Sequence, residues 1–95
     1  MKPLLSVVMG VFNAQDVVGS TIDSILSQSG PDSELIIVDD GSVDNTYSIA
    51  KKEADIVLPN RKNFGKGKSL RRGIKYLLKK HKFFELSTSH KVFCR

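Results

Sequence analysis

Cysteine is almost missing from this chain, and its scarcity excludes several classes of small protein. Cys94 is the only thiol among the 95 residues, so the chain can form neither an internal disulfide nor a metal site built from several thiolates. A single thiol is typical of reducing compartments. The chain also lacks an apolar run of the ~18 residues that span a bilayer, and its start does not resemble a cleavable signal. We therefore expect a cytoplasmic protein.

The composition is that of one ordinary globular domain. Hydrophobic residues make up 40% of the chain and charged residues 26%, which argues against a disordered tail or a low-complexity polymer. A chain of 95 residues has room for one core, so we expect a single domain.

The charges are divided unevenly along the chain. Residues 1–50 contain one Lys or Arg and seven Asp or Glu, whereas residues 51–95 contain fourteen and three, so the halves carry −6 and +11. A basic half of this kind occurs in proteins that bind nucleic acid, anionic membranes or phosphorylated ligands, but it is also common on solvated helix faces. Charge alone favours the solvated face.

Alternating strand and helix patterns predict the α/β class. Two short, nearly continuous apolar runs, residues 4–11 and 34–39, are typical of strands covered on both faces. Apolar residues at spacings of three and four between these runs predict a helix. Its expected inward face consists of Val17, Val18, Thr21, Ile22, Ile25 and Leu26.

The same alternation continues through the second half. Residues 44–53 predict a capped short helix, residues 55–58 a third strand and residues 68–80 a third helix. The expected inward residues of that helix are Leu70, Ile74, Leu77 and Leu78. The pattern predicts a three-layer α/β/α domain with a mainly parallel sheet over residues 1–80. Residues 81–95 form an atypical tail, either an edge strand or disordered.

Polar and aromatic residues follow all three predicted strands. They are Phe12 and Asn13, then Asp39 and Asp40, then Gly65, Lys66 and Gly67. Ligands of parallel sheets bind beyond the carboxyl ends of the strands. Each group alone has an ordinary explanation as turn chemistry. Together they can stack on a nucleobase, accept a hydrogen bond from its ring N–H and contact phosphate, so their convergence predicts a nucleotide pocket.

The glycine-rich segment does not match the common nucleotide motifs. Residues 65–69 lack the four-residue spacing of a Walker loop, and no G-x-G-x-x-G follows the first strand. ATPase and dinucleotide-binding functions are therefore not expected.

Several segments together resemble the amino-terminal half of family 2 glycosyltransferases of the GT-A fold. They are residues 6–13, 24–28 and 34–46, the last with the string Asp-Asp-Gly-Ser-x-Asp-x-Thr, followed by residues 63–67 and 72–74. The resemblance extends to about residue 80. It implies a Rossmann-like half-domain that binds a nucleotide diphosphate sugar, usually a UDP-sugar, for transfer to a saccharide or lipid acceptor in polysaccharide biosynthesis at the cell envelope. It also extends the expected location to the inner face of the membrane.

The resemblance assigns roles to individual residues. Phe12 matches the aromatic residue that stacks on the base, and Asp40 matches the carboxylate that accepts from the uracil N–H. Asp39 is expected to support the strand end or the ribose. Residues 65–67 match the glycine turn near the donor.

The metal-binding motif of the family is not found in this chain. Relatives carry D-x-D after the next strand, where its carboxylates hold Mn²⁺ or Mg²⁺. Family spacing from Gly73 places this motif at residues 87–89, which are Ser, Thr and Ser. The acceptor-binding half and its general base are also missing. We therefore expect a truncated donor-binding half that is weakly active or inactive and has no metal ligands of its own.

Two other functions compete with this interpretation. A basic module for nucleic acid or an anionic surface, built from Arg61, Lys62, Arg71, Arg72 and the later lysines, explains the +11 half but leaves the acidic strand ends without a role. Nucleic acid is therefore the less favoured partner. A structural fragment with a broken pocket is the second competitor.

The family's strand order predicts how this chain associates. It places the first strand between the second strand and a fourth, and residues 83–86 are the segment expected to fill the fourth place. If that place is empty, the exposed strand edge recruits another chain. A closed pair of copies satisfies such an edge, so we expect a homodimer.

Overall fold

The computed structural model describes residues 5–81 and 91–94. These residues form β1 (Leu5–Val11), α1 (Val18–Ser29), β2 (Ser33–Asp39), α2 (Thr46–Glu53), β3 (Ile56–Pro59), α3 (Lys66–His81) and β4 (Lys91–Cys94).

The strands form one parallel sheet in the order β3-β2-β1-β4. Val11 at the end of β1 pairs with Asp39 of β2, and Asp39 pairs with Pro59 at the end of β3. Because these strands are parallel and in this register, their carboxyl ends lie at one edge of the sheet. The segments that follow them are therefore neighbours.

Helices cover both faces of the sheet. On one face, Val7 of β1 and Leu35 of β2 pack in a core with Ile22 of α1 and Ala50 of α2. On the other face, Val8 and Ile36 pack against Leu77 of α3. Consecutive residues of β1 thus enter opposite cores, which explains the continuous apolar runs. The predicted three-layer α/β/α architecture is confirmed.

The inward face of α1 is narrower than predicted. Val18, Ile22 and Ile25 are buried, whereas Val17, Thr21 and Leu26 are exposed. Val17 precedes the helix. A single stripe of residues meets the sheet, and the flank of the helix that carries Leu26 remains in solvent.

The buried stripe of α3 also differs from the prediction. Ser69, Gly73 and Leu77 are buried at a spacing of four, whereas Leu78 is 41% exposed. The helix begins at Lys66, two residues earlier than expected. Small residues face the sheet because the helix lies very close to it at Gly73.

β4 corrects the prediction for the fourth strand. Residues 91–94 pair with β1, from Leu5 opposite Lys91 to Val8 opposite Cys94, and so take the place expected for residues 83–86. Residues 83–86 lie outside the described residues. Because β4 pairs with Leu5–Val8 of β1 within the same chain, the fourth place is filled. The homodimer prediction therefore loses the empty place from which it was argued.

Substitution of Gly73 tests how closely α3 packs against the sheet. A Cβ there would lie 2.4 Å from Val8 Cγ1 and 3.2 Å from Val38 Cγ2. We expect Gly73→Ala to lower the free energy of unfolding by about 1–3 kcal/mol, because buried side chains must shift to admit the methyl group. Chemical denaturation measures the change.

Gly67→Ala is the matched control on the same helix, where a Cβ meets nothing within 4 Å. It should leave stability unchanged or raise it by up to about 1 kcal/mol, because alanine favours the helix. Equal losses in the two variants would contradict the close approach of α3.

Candidate functional site

A cleft of about 310 Å³ lies at the edge where β1 and β2 end. It is lined by Gly10, Val11, Phe12, Asp40, Asn63, Gly65, Lys66 and Ser69. These residues come from the ends of two strands, the loop after β3 and the first turn of α3. This is the edge at which open parallel sheets bind their ligands.

The structure brings together four of the seven residues predicted to bind nucleotide. Phe12, Asp40, Gly65 and Lys66 line the cleft. Phe12 is 46% exposed. Asn13, Asp39 and Gly67 are not among the lining residues.

Asp40 is a buried carboxylate with hydrogen bonds to both oxygens. Oδ1 accepts from Phe64 N–H at 2.7 Å and from Asn60 Nδ2 at 3.0 Å, and Oδ2 accepts from Gly65 N–H at 2.9 Å. The side chain is only 5% exposed. Burial acts to raise the pKa of Asp40, but hydrogen bonds from Phe64, Asn60, Gly65 and Ser69 outweigh it and hold the pKa below its usual value. Asp40 is therefore ionised at neutral pH.

Asn60 links the cleft to the sheet and to α3. Its N–H donates to Asp39 O at 2.7 Å, and its Nδ2 donates to Ser69 Oγ at 3.1 Å as well as to Asp40. Arg72 Nη1 donates to Asn60 Oδ1 and to Pro59 O. These hydrogen bonds tie the loop of residues 60–65 to β2 on one side and to α3 on the other. The loop forms one wall of the cleft.

Sequence reasoning did not connect Asn60, Ser69 or Arg72 with the nucleotide pocket; Arg72 was named only in the family resemblance and among the cations of the competing basic module. Ser69 carried a usable signal, because it lies four residues before Gly73 on a helix whose close contact with the sheet requires small residues. Asn60 follows a proline-ended strand like any turn residue, and Arg72 resembles the other cations of α3. Only the folded chain distinguishes these two.

Asn13 and Asp39 hold neighbouring loops. Asn13 N–H donates to Ser42 Oγ at 2.8 Å, and Asn13 Oδ1 accepts from Val43 N–H at 2.9 Å. Asp39 Oδ1 accepts from Ser42 N–H at 3.2 Å. The two bonds of Asn13 join the loop after β1 to the loop after β2 and so set the position of Phe12 relative to Asp40, whereas the bond of Asp39 holds the loop after β2 to its own strand.

The later part of the Asp-Asp-Gly-Ser-x-Asp-x-Thr string reinforces that join. Thr46 Oγ1 accepts from Ala14 N–H at 2.7 Å, and Asp44 Oδ2 accepts from Gln15 N–H at 3.3 Å. The hydrogen bond from the Thr46 hydroxyl is the main cause that holds the pKa of Asp44 below its usual value. The string therefore has a structural role in addition to any contact with ligand.

Gly41, in the loop after β2, permits close contact with the loop after β3. It has a φ of 82°, and a Cβ there would lie 2.5 Å from the backbone carbon of Lys62. No side chain fits between these backbones. The loop after β2 thus packs directly against the loop after β3.

The sequence model of glycosyl transferase family 2 matches residues 6–84, which include every residue that lines the cleft. The chain belongs to glycosyl transferase family 2. This match confirms the family predicted from the sequence. The members of this family are transferases.

Curated relatives support this assignment and are much longer than the chain. An uncharacterized glycosyltransferase of Rickettsia prowazekii is 36% identical over 93 residues, which are 97% of this chain and 29% of the relative. The UDP-Glc:alpha-D-GlcNAc-diphosphoundecaprenol beta-1,3-glucosyltransferase WfaP of Escherichia coli is 35% identical over 65 residues, 67% of this chain and 26% of that protein. The chain spans less than a third of these relatives.

A solved structure shows the same fold. The mannosyltransferase PcManGT of Pyrobaculum calidifontis, in complex with GDP-Man and Mn²⁺, matches 80% of this chain and 25% of its own with a TM-score of 0.69 and 21% identity. The likeness confirms the Rossmann-like fold of a GT-A glycosyltransferase.

The described residues do not fit a divalent metal. Among the described side chains, those of residues 5–80, no three His, Cys, Asp or Glu form a group that could hold an ion. Asp40 faces N–H donors, which compete with a cation for its oxygens. Residues 87–89, where the family spacing predicts the D-x-D motif, lie outside the described residues.

The bonds to Asp40 predict a pH-dependent contribution to stability. We expect Asp40→Asn to lower the free energy of unfolding at pH 7 by about 1–3 kcal/mol, because the amide NH₂ replaces one carboxylate oxygen and leaves either the Phe64 or the Gly65 N–H without its acceptor. Urea unfolding of both proteins measures the difference.

The difference should shrink in acid. The pKa of Asp40 is lowered by folding, so its stabilisation is complete above the pKa of an unfolded aspartate and is lost as the pH falls through the lower folded pKa. Asp32→Asn is the control, because Asp32 is exposed. A constant difference between pH 7 and pH 2, or an equal effect of Asp32→Asn, would contradict this account of Asp40.

Proposed function

We propose that this chain is the donor-binding part of a glycosyltransferase and that its cleft binds a nucleotide diphosphate sugar. The observation that carries the proposal is the half-exposed ring of Phe12 beside an ionised, buried Asp40 and the cation Lys66. Stacking on a nucleobase would bury that ring. A carboxylate and a cation in the same cleft supply the two polar contacts that a nucleotide needs.

The base lies on Phe12 in this proposal, and uracil is the base proposed. Asp40 accepts from the ring N–H, but its oxygens already take hydrogen bonds from Phe64, Asn60, Gly65 and Ser69. A carboxylate has about four acceptor positions, so the base must replace one donor. The Ser69 hydroxyl can rotate away, whereas the backbone N–H groups cannot.

The diphosphate lies toward the start of α3. Lys66 lines the cleft as the first residue of the helix, where unpaired N–H groups favour an anion. Gly67 follows in the first turn, and the position of its missing Cβ faces open space, so a phosphate can approach the backbone. Asn13 and Asp39 contribute by holding the loops that carry Phe12 and Asp40.

The relatives support the donor class and the kind of acceptor. One is named for UDP-Glc and a diphosphoundecaprenol-linked sugar, and a structural neighbour was solved with GDP-Man. Both donors are nucleotide diphosphate sugars. We extend the proposal to a saccharide or lipid-linked acceptor, polysaccharide biosynthesis at the cell envelope, and a site of action at the inner face of the membrane.

Two observations limit the proposal for this chain alone. The described residues do not fit Mn²⁺ or Mg²⁺, so we derive only donor binding and no transfer step. No helix in the described part of the chain is both long and apolar enough to cross a membrane. The isolated chain is proposed to bind donor weakly and to be weakly active or inactive.

UDP titration monitored by NMR tests the base position. We expect a dissociation constant of about 0.1–10 mM, because few contacts offset the cost of association. Phe12→Ala should weaken binding about fivefold or more, since stacking on an aromatic ring contributes about 1–3 kcal/mol per base. Leu78→Ala is the matched control, because Leu78 is 41% exposed and lies on the last turns of α3.

Equal UDP affinity of wild type and Phe12→Ala would exclude the proposed base position. Loss of binding in Asp40→Asn would not by itself establish a base contact, because the same change disturbs the loop of residues 60–65. Tight, salt-dependent DNA binding without UDP binding would favour the basic module instead.

Manganese should change UDP affinity by less than about threefold, because without a group of protein ligands the ion rests on the nucleotide's own phosphates. UDP titrations with and without Mn²⁺ measure the effect. Strong enhancement at micromolar Mn²⁺ would show that carboxylates have been recruited, and Asp39 and Asp40 would be the first to substitute.

A further inference from the structure

A second cleft, of about 380 Å³, lies between the end of β3, the loop of residues 60–65 and α3. It is lined by Pro59, Asn60, Arg61, Phe64, Lys68 and Arg72, and we call it the basic cleft. It shares no lining residue with the cleft that contains Phe12. The loop of residues 60–65 contributes to both clefts.

The positive charge of the basic cleft is not neutralised by nearby carboxylates. Three of its lining residues are cations and none is acidic. Within the described part of the chain, neither Arg61 nor Lys68 has a carboxylate at ion-pair distance. The whole of α3, from Lys66 to His81, contains no acidic residue. An anion in this cleft would therefore meet a positive potential.

Arg72 is held in an orientation that suits an oxyanion. Its Nη1 donates to Pro59 O at 2.7 Å and to Asn60 Oδ1. These two bonds use the Nη1 protons, so the edge formed by Nε and Nη2 remains for a ligand. That edge is the fork that binds phosphate in two parallel hydrogen bonds. A guanidinium that is already fixed loses less freedom when the ligand binds.

Phe64 adds an apolar surface to the same cleft. Phe64 is 41% exposed, and Lys62 Nζ lies 5.6 Å from the centre of its ring. The volume of the cleft falls in the range of about 300–1,000 Å³ that is typical of small-molecule sites. Concavity and an aromatic wall favour a small ligand with an organic part over a flat membrane surface or a nucleic-acid duplex.

We propose that the basic cleft binds a sugar phosphate, separately from the nucleotide. Arg72 contacts two phosphoryl oxygens, Arg61 and Lys68 balance the remaining charge, and the sugar ring lies on Phe64. In a sugar-transferring enzyme such a ligand is a phosphorylated acceptor. This role as acceptor rests on the function proposed above, whereas binding of a sugar phosphate does not.

Titrations of the whole 95-residue chain with glucose 1-phosphate and with inorganic phosphate test the proposal by NMR at constant ionic strength. The Arg72 Nε–H signal and the amides of residues 60–64 and 68 should shift to saturation. Glucose 1-phosphate should bind at least about threefold more tightly than phosphate, because only it contacts Phe64. Phe64→Ala should remove that preference. Absence of saturable shifts, or equal affinities in wild type, would overturn the proposal.

Charge-matched variants separate a site from general attraction. Arg61→Gln and Lys68→Gln should each weaken glucose 1-phosphate binding about three- to tenfold. Arg71→Gln removes the same charge from α3, but Arg71 does not line the basic cleft, so it should change the affinity less than about twofold. Equal weakening by all three variants would overturn the proposal in favour of unspecific electrostatics.

Competition distinguishes the two clefts and the sources of phosphate. Saturating UDP should leave glucose 1-phosphate binding unchanged, whereas displacement would assign the basic cleft to the donor diphosphate and overturn a separate site. Phosphatidylglycerol vesicles should not bind in an Arg61- and Lys68-dependent manner. If vesicles bind in that manner and glucose 1-phosphate does not, the surface is a membrane contact. Failure of UDP to bind would overturn the proposed function and leave this result intact.

Discussion

The geometry of the candidate site depends on one buried carboxylate. Asp40 accepts hydrogen bonds from the backbone of Phe64 and Gly65 and from the side chain of Asn60. A buried charge is tolerated only where such donors surround it. The buried N–H groups of the loop in turn need acceptors, which Asp40 supplies. Asp40 thereby fixes the wall of one cleft and, through Asn60, the orientation of Arg72 in the other.

The close packing of α3 is what brings this network together. Because residue 73 is glycine, α3 lies directly against Val8 and Val38. Ser69, one turn earlier on the helix, then forms hydrogen bonds with Asn60 and Asp40. A side chain larger than a methyl group at Gly73 would not fit between the helix and these valines, and it would move the start of the helix away from the strand ends. The geometry of both clefts therefore depends on how α3 packs in the core. A shift of the helix would displace Lys66 in one cleft and the α3 residues of the basic cleft at the same time.

The opposite charges of the two halves have different physical roles. In the acidic half, Asp40 and Asp44 are ionised and directed at backbone donors, where they shape the loops at the strand ends. In the basic half, most cations of α3 have no carboxylate at ion-pair distance in the described part of the chain. Lys80, which forms an ion pair with Glu34, is an exception. Carboxylates of the acidic half thus fix the loops around the cleft, and cations of the basic half give this side of the molecule a positive potential.

The sequence by itself determined the class of fold, the family and four residues of the cleft, because strand and helix periodicity, turn residues and the Asp-Asp-Gly-Ser string are local patterns. Tertiary structure alone decided which residues of α3 are buried, since exposure of Leu78 and burial of Ser69 depend on how close the helix lies to the sheet. It also decided that β4 pairs with β1, a contact between residues 86 positions apart. The network of Asn60 and Arg72 is of the same kind, because its partners are distant in sequence and ordinary in type, so no local pattern marks them.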